Sequence, residues 1–108
     1  MLGRTLSDLA SSAPEQIDEQ QKREEAYRQK VIKSFFEYGK LRSIPVQRKK
    51  RLICLERIAE LFELGKVYEE QELSEIIASV HEDYCTLRRD MVDEGILERN
   101  DGRYVRVR

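Results

Sequence analysis

The stretch "VHEDYCTLRRDMVDEGILERNDGRYVRVR", residues 80–108, decides how the chain is read, because its apolar period changes partway along. Up to Asp93 the spacing is helical: at about 100° per residue, Val80, Tyr84, Leu87 and Met91 share one face, while Glu82, Thr86, Arg89 and Asp93 face away. Arg88 lies on the shoulder beside Cys85 and Val92. After Gly95 the pattern suits strands. Asp101-Gly102 is a two-residue hairpin signal that pairs Ile96–Arg99 with Tyr104–Val107. Such a hairpin is marginal in water by itself, so both it and the helix need further elements to pack on.

Those elements lie upstream. "EEQELSEIIASV" (69–80) carries Leu73, Ile76, Ile77 and Val80 at i, i+3, i+4 and i+7, and its early glutamates suit the positive end of a helix. "KVY" (66–68) is a candidate short strand. "RKKRLICLERIAELFELG" (48–65) places Leu52, Leu55, Ile58, Ala59 and Phe62 at helical spacing, with Ile53, Cys54 and Leu61 at other angles. A helix apolar over most of its circumference belongs at the centre, and Gly65 stops it. Helix, short strand, helix, helix and hairpin is the element order of a winged helix-turn-helix. The expected fold is mainly α with a small β-hairpin, an α+β winged helix-turn-helix preceded by a long N-terminal helix.

That long helix has two start signals. Thr5 and Asp8 have capping-box spacing ahead of Leu2, Leu6 and Leu9; then Ser12, Pro14 and Glu15 open a run without glycine or further proline until Gly39. The spacing predicts one helix from there to about Tyr38, stopped by Gly39. Its first half, "EQIDEQQKREE" (15–25), has a single large apolar residue and cannot bury a face. Its second half repeats Tyr27, Val31 and Phe35 every four residues, widened by Ile32 and Phe36. Residues 1–30 therefore read as a polar helical extension and 31–108 as the winged-helix domain. The connector "KLRSIP" offers Leu41 and Ile44 as anchors.

The 108 residues are 40% hydrophobic and 38% charged, enough for one small domain with a modest core. Twenty basic and twenty-one acidic residues leave a net charge of −1, so any nucleic-acid binding must come from a local patch. No apolar run approaches the roughly 20 residues of a membrane-spanning helix. Nothing at the N-terminus resembles a secretory signal, and Cys54 and Cys85 fall inside helical patterns; a cytoplasmic protein with reduced, partly buried thiols is expected.

"FFEYGKLRSIP", "RKKR", "YEEQEL", "HEDYCTLRRDMVDEGILER" and "DGRYVRV", taken in order, resemble a bacterial family of winged-helix domains catalogued as domain of unknown function 2087. The resemblance covers about residues 33–107, most specifically Thr86–Gly95. It implies a bacterial, cytoplasmic, regulator-associated protein, because the family also occurs fused behind arsenic-repressor-type DNA-binding domains. It carries over no catalytic residue.

Charge is unevenly spread. Residues 40–51 hold six basic side chains and no acid; residues 95–108 hold four arginines against Glu98 and Asp101; residues 52–79 hold Arg57 and Lys66 against seven glutamates. Phosphate contacts need only cations or N–H donors in reach, and they dominate affinity for duplexes. The basic first-helix start (Arg48, Lys49, Lys50) and the wing (Arg99, Arg103, Arg106) are the expected phosphate contacts, with Thr86 and Arg89 the expected base contacts. "RKKR" is equally readable as a solvated helix start, or as a partner for the acidic second helix of a neighbouring copy. Arg88 is expected to fork to Glu72 or Glu75, while Arg89 is also placed to pair with Asp93 at i+4. Glu82 and Asp83 at the start of the reading helix disfavour insertion into the major groove, and Asp90, Asp93 and Glu94 oppose the dipole at its end.

His81 and Cys85 have metal-ligand spacing but lack a further Cys/His cluster, so a histidine bonded to its own helix start is expected, with no cofactor and no enzyme activity. The leading expectation is a small bacterial transcriptional regulator binding double-stranded DNA. The alternative is a protein-interaction or dimerisation module, with the N-terminal helix contacting a second copy or another protein. A ligand-sensing domain is the third.

Overall fold

A computed structural model describes the backbone from Leu2 and the side chains from Glu19 to Arg108. The chain forms two compact units, residues 1–30 and 31–108. Helix α1 runs unbroken over Leu2–Phe35, past the second start signal at Ser12. The capping expected of Thr5, Asp8, Ser12 and Glu15 lies outside the described side chains. From Glu19 to Lys30 the side chains are exposed apart from the half-buried Tyr27 and Arg28, as a helix with so few apolar residues requires.

The second unit is mixed α+β. Helix α1 ends at Phe35 rather than near Tyr38, because Tyr38 and Gly39 both take positive φ (54° and 77°) and close a tight hairpin instead of merely stopping a helix. Strand β1 (Phe36–Glu37) pairs there with β2 (Lys40–Leu41). Leu41 is buried as expected, and its N–H donates to the Val80 carbonyl at 3.0 Å.

Helix α2 (Arg48–Ala59) buries Ile53, Cys54, Leu55, Ile58 and Ala59, as expected of the central helix. It stops short of Gly65: the Leu61 and Phe62 amides bond to the Ile58 and Ala59 carbonyls, a tighter turn that drives Phe62 into the core. Gly65, at φ 81°, then reverses the chain, and its N–H donates to the Arg106 carbonyl at 2.9 Å.

Strand β3 (Val67–Glu69) leads directly into α3 (Glu70–Ala78). After a short turn come α4 (Tyr84–Asp93), β4 (Leu97–Asn100) and β5 (Arg103–Arg106). The expected third helix began near Val80; in the fold Val80 is buried in the turn, its amide bonded to the Ile77 carbonyl, and α4 starts at Tyr84. The three strands form an antiparallel sheet in the order β3–β5–β4, with Asp101 and Gly102 at positive φ in the β4–β5 turn. Both strands lie one residue from their expected bounds.

Leu55, Phe62, Leu73, Ile77, Leu87, Met91, Ile96 and Leu97 are each under 2% exposed and form one core from α2, α3, α4 and the sheet. Phe62 meets Tyr68 edge-to-face at 5.3 Å, and the Tyr68 hydroxyl accepts the Glu63 N–H at 2.9 Å. Cys54 is buried as expected; Cys85 is exposed, because the α4 face it occupies turns away from Leu87 and Met91. Among the described residues no helix is long and apolar enough to cross a membrane.

Leu87 sits at the centre of this core with none of its surface exposed. Leu87→Ala is expected to lower the unfolding free energy by roughly 2–5 kcal/mol, read as a shift in the urea midpoint at unchanged slope.

Candidate nucleic-acid interface

Helix α4 is presented by its apolar face: Leu87 and Met91 point inward, which leaves Arg89 exposed and Thr86 half-buried on the other side. His81 fixes the approach to this helix. Its Nδ1 accepts the Asp83 N–H at 3.0 Å, so it is bonded to its own helix start as expected. Asp83 occupies the N-cap position without a side-chain cap bond. Arg88 has the structural role expected of it but a different partner: its guanidinium donates to Ser74 Oγ at 2.6 Å and lies 5.9 Å from the centre of the Tyr104 ring. Glu72 and Glu75 both lie on an exposed face of α3, whereas Ser74 is half-buried toward α4.

The acids at the other end of α4 are answered by arginines. Arg48 forks onto Glu94, with Nε at 3.0 Å and the terminal nitrogen at 2.6 Å. Arg51 lies 3.8 Å from Asp90 and donates to the Val46 carbonyl, and Arg108 bonds the Glu94 carbonyl and the Glu56 carboxylate, each at 3.2 Å. Cations around a helix C-terminus also complement its dipole. The Asp90 carboxyl is nevertheless held above its ordinary pKa, chiefly by burial; Arg51 and Arg89 pull it down, while Asp93 and Glu94 push it up.

On the β4–β5 hairpin, Arg103 pairs with Glu69 at 3.2 Å and Arg99 with Glu70 at 3.9 Å. The Tyr104 hydroxyl donates to the same Glu70 carboxylate at 3.0 Å, and its pKa is raised by burial first and by that hydrogen bond second. Arg106 donates to the Phe62 carbonyl at 2.9 Å, so it anchors the sheet to the end of α2. Lys49 is exposed and Lys50 half-buried at the start of α2.

Of the residues expected to contact nucleic acid, the fold thus sets Arg48 beside the C-terminal end of α4, with Lys49 and Lys50 following it in the first turn of α2. It sets Arg99 and Arg103 against the start of α3, leaves Thr86 and Arg89 on α4, and turns the Arg106 guanidinium to main-chain carbonyls. Lys40 and Arg42 stand outside that set. They line a cleft of about 310 Å³ with Ser79, His81 and Glu82, next to the start of α4. The basic run at 40–51 carried them, but only the unexpected β1–β2 hairpin brings them there. Among the described residues no cluster of three His, Cys, Asp or Glu side chains is formed that could hold a metal.

Residues 40–106 match the profile of a family described as an uncharacterized protein conserved in bacteria (DUF2087), and the chain belongs to that family. The match spans the β2 strand to β5, leaving α1 outside it. No curated protein and no solved structure gives a match.

The raised Asp90 pKa makes the native state hold this proton more tightly than the unfolded chain does. Its contribution therefore favours the fold at low pH and is lost as the pH rises through the folded-state pKa. Arg51→Gln should move the Asp90 carboxyl titration still higher, followed by NMR; an unchanged or lower midpoint would show that the pair does not act as described.

Proposed function

We propose that this is a winged helix-turn-helix protein that binds double-stranded DNA as a transcription regulator. The observation that carries the reading is topological: α2, β3, α3, a short turn, α4 and the β4–β5 hairpin follow one another, with β3 completing a β3–β5–β4 sheet. In that arrangement α4 is the reading helix and β4–β5 the wing. Lys49, Lys50 and Arg48 with Arg99 and Arg103 hold phosphates, while Thr86 and Arg89 are the base contacts. Arg106 keeps the wing in position. The protein acts by binding rather than by catalysis, in the cytoplasm of a bacterium.

The ion pairs do not forbid this. Arg99 and Arg103 have side chains 59% and 62% exposed and face exposed glutamates, and surface pairs of this kind are worth only about 0–1 kcal/mol, so each is exchanged cheaply onto a phosphate. Arg48, forked onto a Glu94 side chain that is only 16% exposed, is held more firmly and contributes mainly its remaining exposed charge. Glu82 and Asp83 at the start of α4 weaken base reading, so most of the affinity should be electrostatic and weakly sequence-dependent.

A second reading, a protein-interaction or dimerisation module that includes the N-terminal helix, draws on the same pairs: Glu69, Glu70 and Glu94 already neutralise much of the basic surface. Fluorescence anisotropy with random-sequence duplex DNA across a salt series separates the two. Several phosphate contacts demand a steep fall of log affinity with log salt. No binding at low salt would leave the second reading.

Two variants sharpen the test. Lys49→Glu with Lys50→Glu should weaken binding uniformly across sequences. Glu69→Gln with Glu70→Gln frees the wing arginines and should tighten it severalfold; unchanged affinity would remove the wing from the interface.

A further inference from the structure

We propose that the cleft between the β1–β2 hairpin and the α3–α4 turn is an anion site that receives a backbone phosphate of the duplex beside α4. The proposal rests on the DNA-binding reading above and adds a contact outside both the wing and the start of α2.

The hairpin wall is built by alternation. Leu41 turns into the core, so Lys40 and Arg42, its neighbours on either side, both project to the surface on the opposite face. Two main-chain bonds hold them in place: Leu41 N–H to the Val80 carbonyl at 3.0 Å, and Arg42 N–H to the Phe35 carbonyl at 2.7 Å. The cations are thereby fixed to the α3–α4 turn itself, not to a loop that merely passes it.

The opposite wall supplies a donor. Because His81 Nδ1 accepts the Asp83 N–H, the proton of the neutral ring sits on Nε2, and His81 lines the cleft. Glu82 is the one acid on the lining, and it is exposed. Glu37 lies 4.0 Å from Arg42, with both side chains about 60% exposed, too loose a pair to hold the guanidinium against a phosphate.

The location selects the occupant. In helix-turn-helix docking the start of the reading helix approaches the DNA, and phosphate contacts there set its register. Glu82 and Asp83 would repel those phosphates if they stood alone. Lys40 and Arg42 offset those two acids at that end of the helix and give a duplex phosphate a pair of cations to approach.

The test uses the full chain with Lys40→Gln and Arg42→Gln together, in the duplex salt series, with circular dichroism to confirm an unchanged fold. Giving up one phosphate flattens the slope of log affinity against log salt by about 0.9, and the affinity at low salt should fall severalfold. If the wild type binds steeply and the double variant keeps both slope and affinity, the cleft proposal is overturned while the DNA reading stands. If the wild type does not bind at all, both fall. A parallel NMR titration with inorganic phosphate separates the sources. Shifts at the Arg42 and His81 amides that saturate at millimolar phosphate, with duplex affinity unaffected by the variant, would assign the cleft to the free ion and overturn the proposal.

Discussion

Leu87 and Met91 on α4 have no exposed surface, and covering that one apolar face places the rest of the domain. The face is covered from three sides, by α2, by α3 and by β4, all of which touch α4. Ile96 and Leu97, wholly buried directly after Gly95, pull the chain into the sheet as soon as the helix ends. Burying an apolar side chain of this size contributes roughly 1.5–3 kcal/mol, so this small group of residues outweighs any of the surface ion pairs. What remains outside is set by elimination: the residues of α4 that cannot face the core are the only ones it can show to a partner.

Charge does a second, local job in this fold. Arg48 and Arg51 from the first turn of α2 and Arg108 from beyond β5 converge on the C-terminal end of α4, where Asp90 and Glu94 would otherwise face an unfavourable helix dipole. The arginines of the hairpin meet the glutamates at the start of α3 in the same manner. Among the described residues, several arginines of this near-neutral chain thus serve as bridges between elements. The cleft beside His81 and Glu82 is different, since its cations come from a hairpin that precedes the helical core in sequence.

Much of the fold was legible because its signals were local. Asp101-Gly102 announced the hairpin, and the i, i+3, i+4 and i+7 apolar positions of α3 announced its buried face. The β1–β2 hairpin was not legible: its strands have two residues each, too short to show alternation, and Gly39 after an aromatic residue looked like a helix stop. The pairing of each arginine was equally hidden. Arg88 chose Ser74 over the nearby glutamates, and Arg106 chose a main-chain carbonyl, choices that depend on which face of α3 and which end of α2 the packing turns toward them. His81 was legible because its partner lies two residues away.

The three-stranded sheet leaves β3 and β4 with open edges, and an open edge is a template for another strand. Strand β3 spans only three residues, with Val67 exposed between Lys66 and the buried Tyr68 and with Glu69 exposed at its end; on β4 the exposed residues are Glu98, Arg99 and Asn100. A second chain adding to either edge would have to bring its backbone alongside these charged side chains for the sake of very few ladder bonds. Short strands and charged side chains thus disfavour edge-to-edge pairing of this sheet with a second copy.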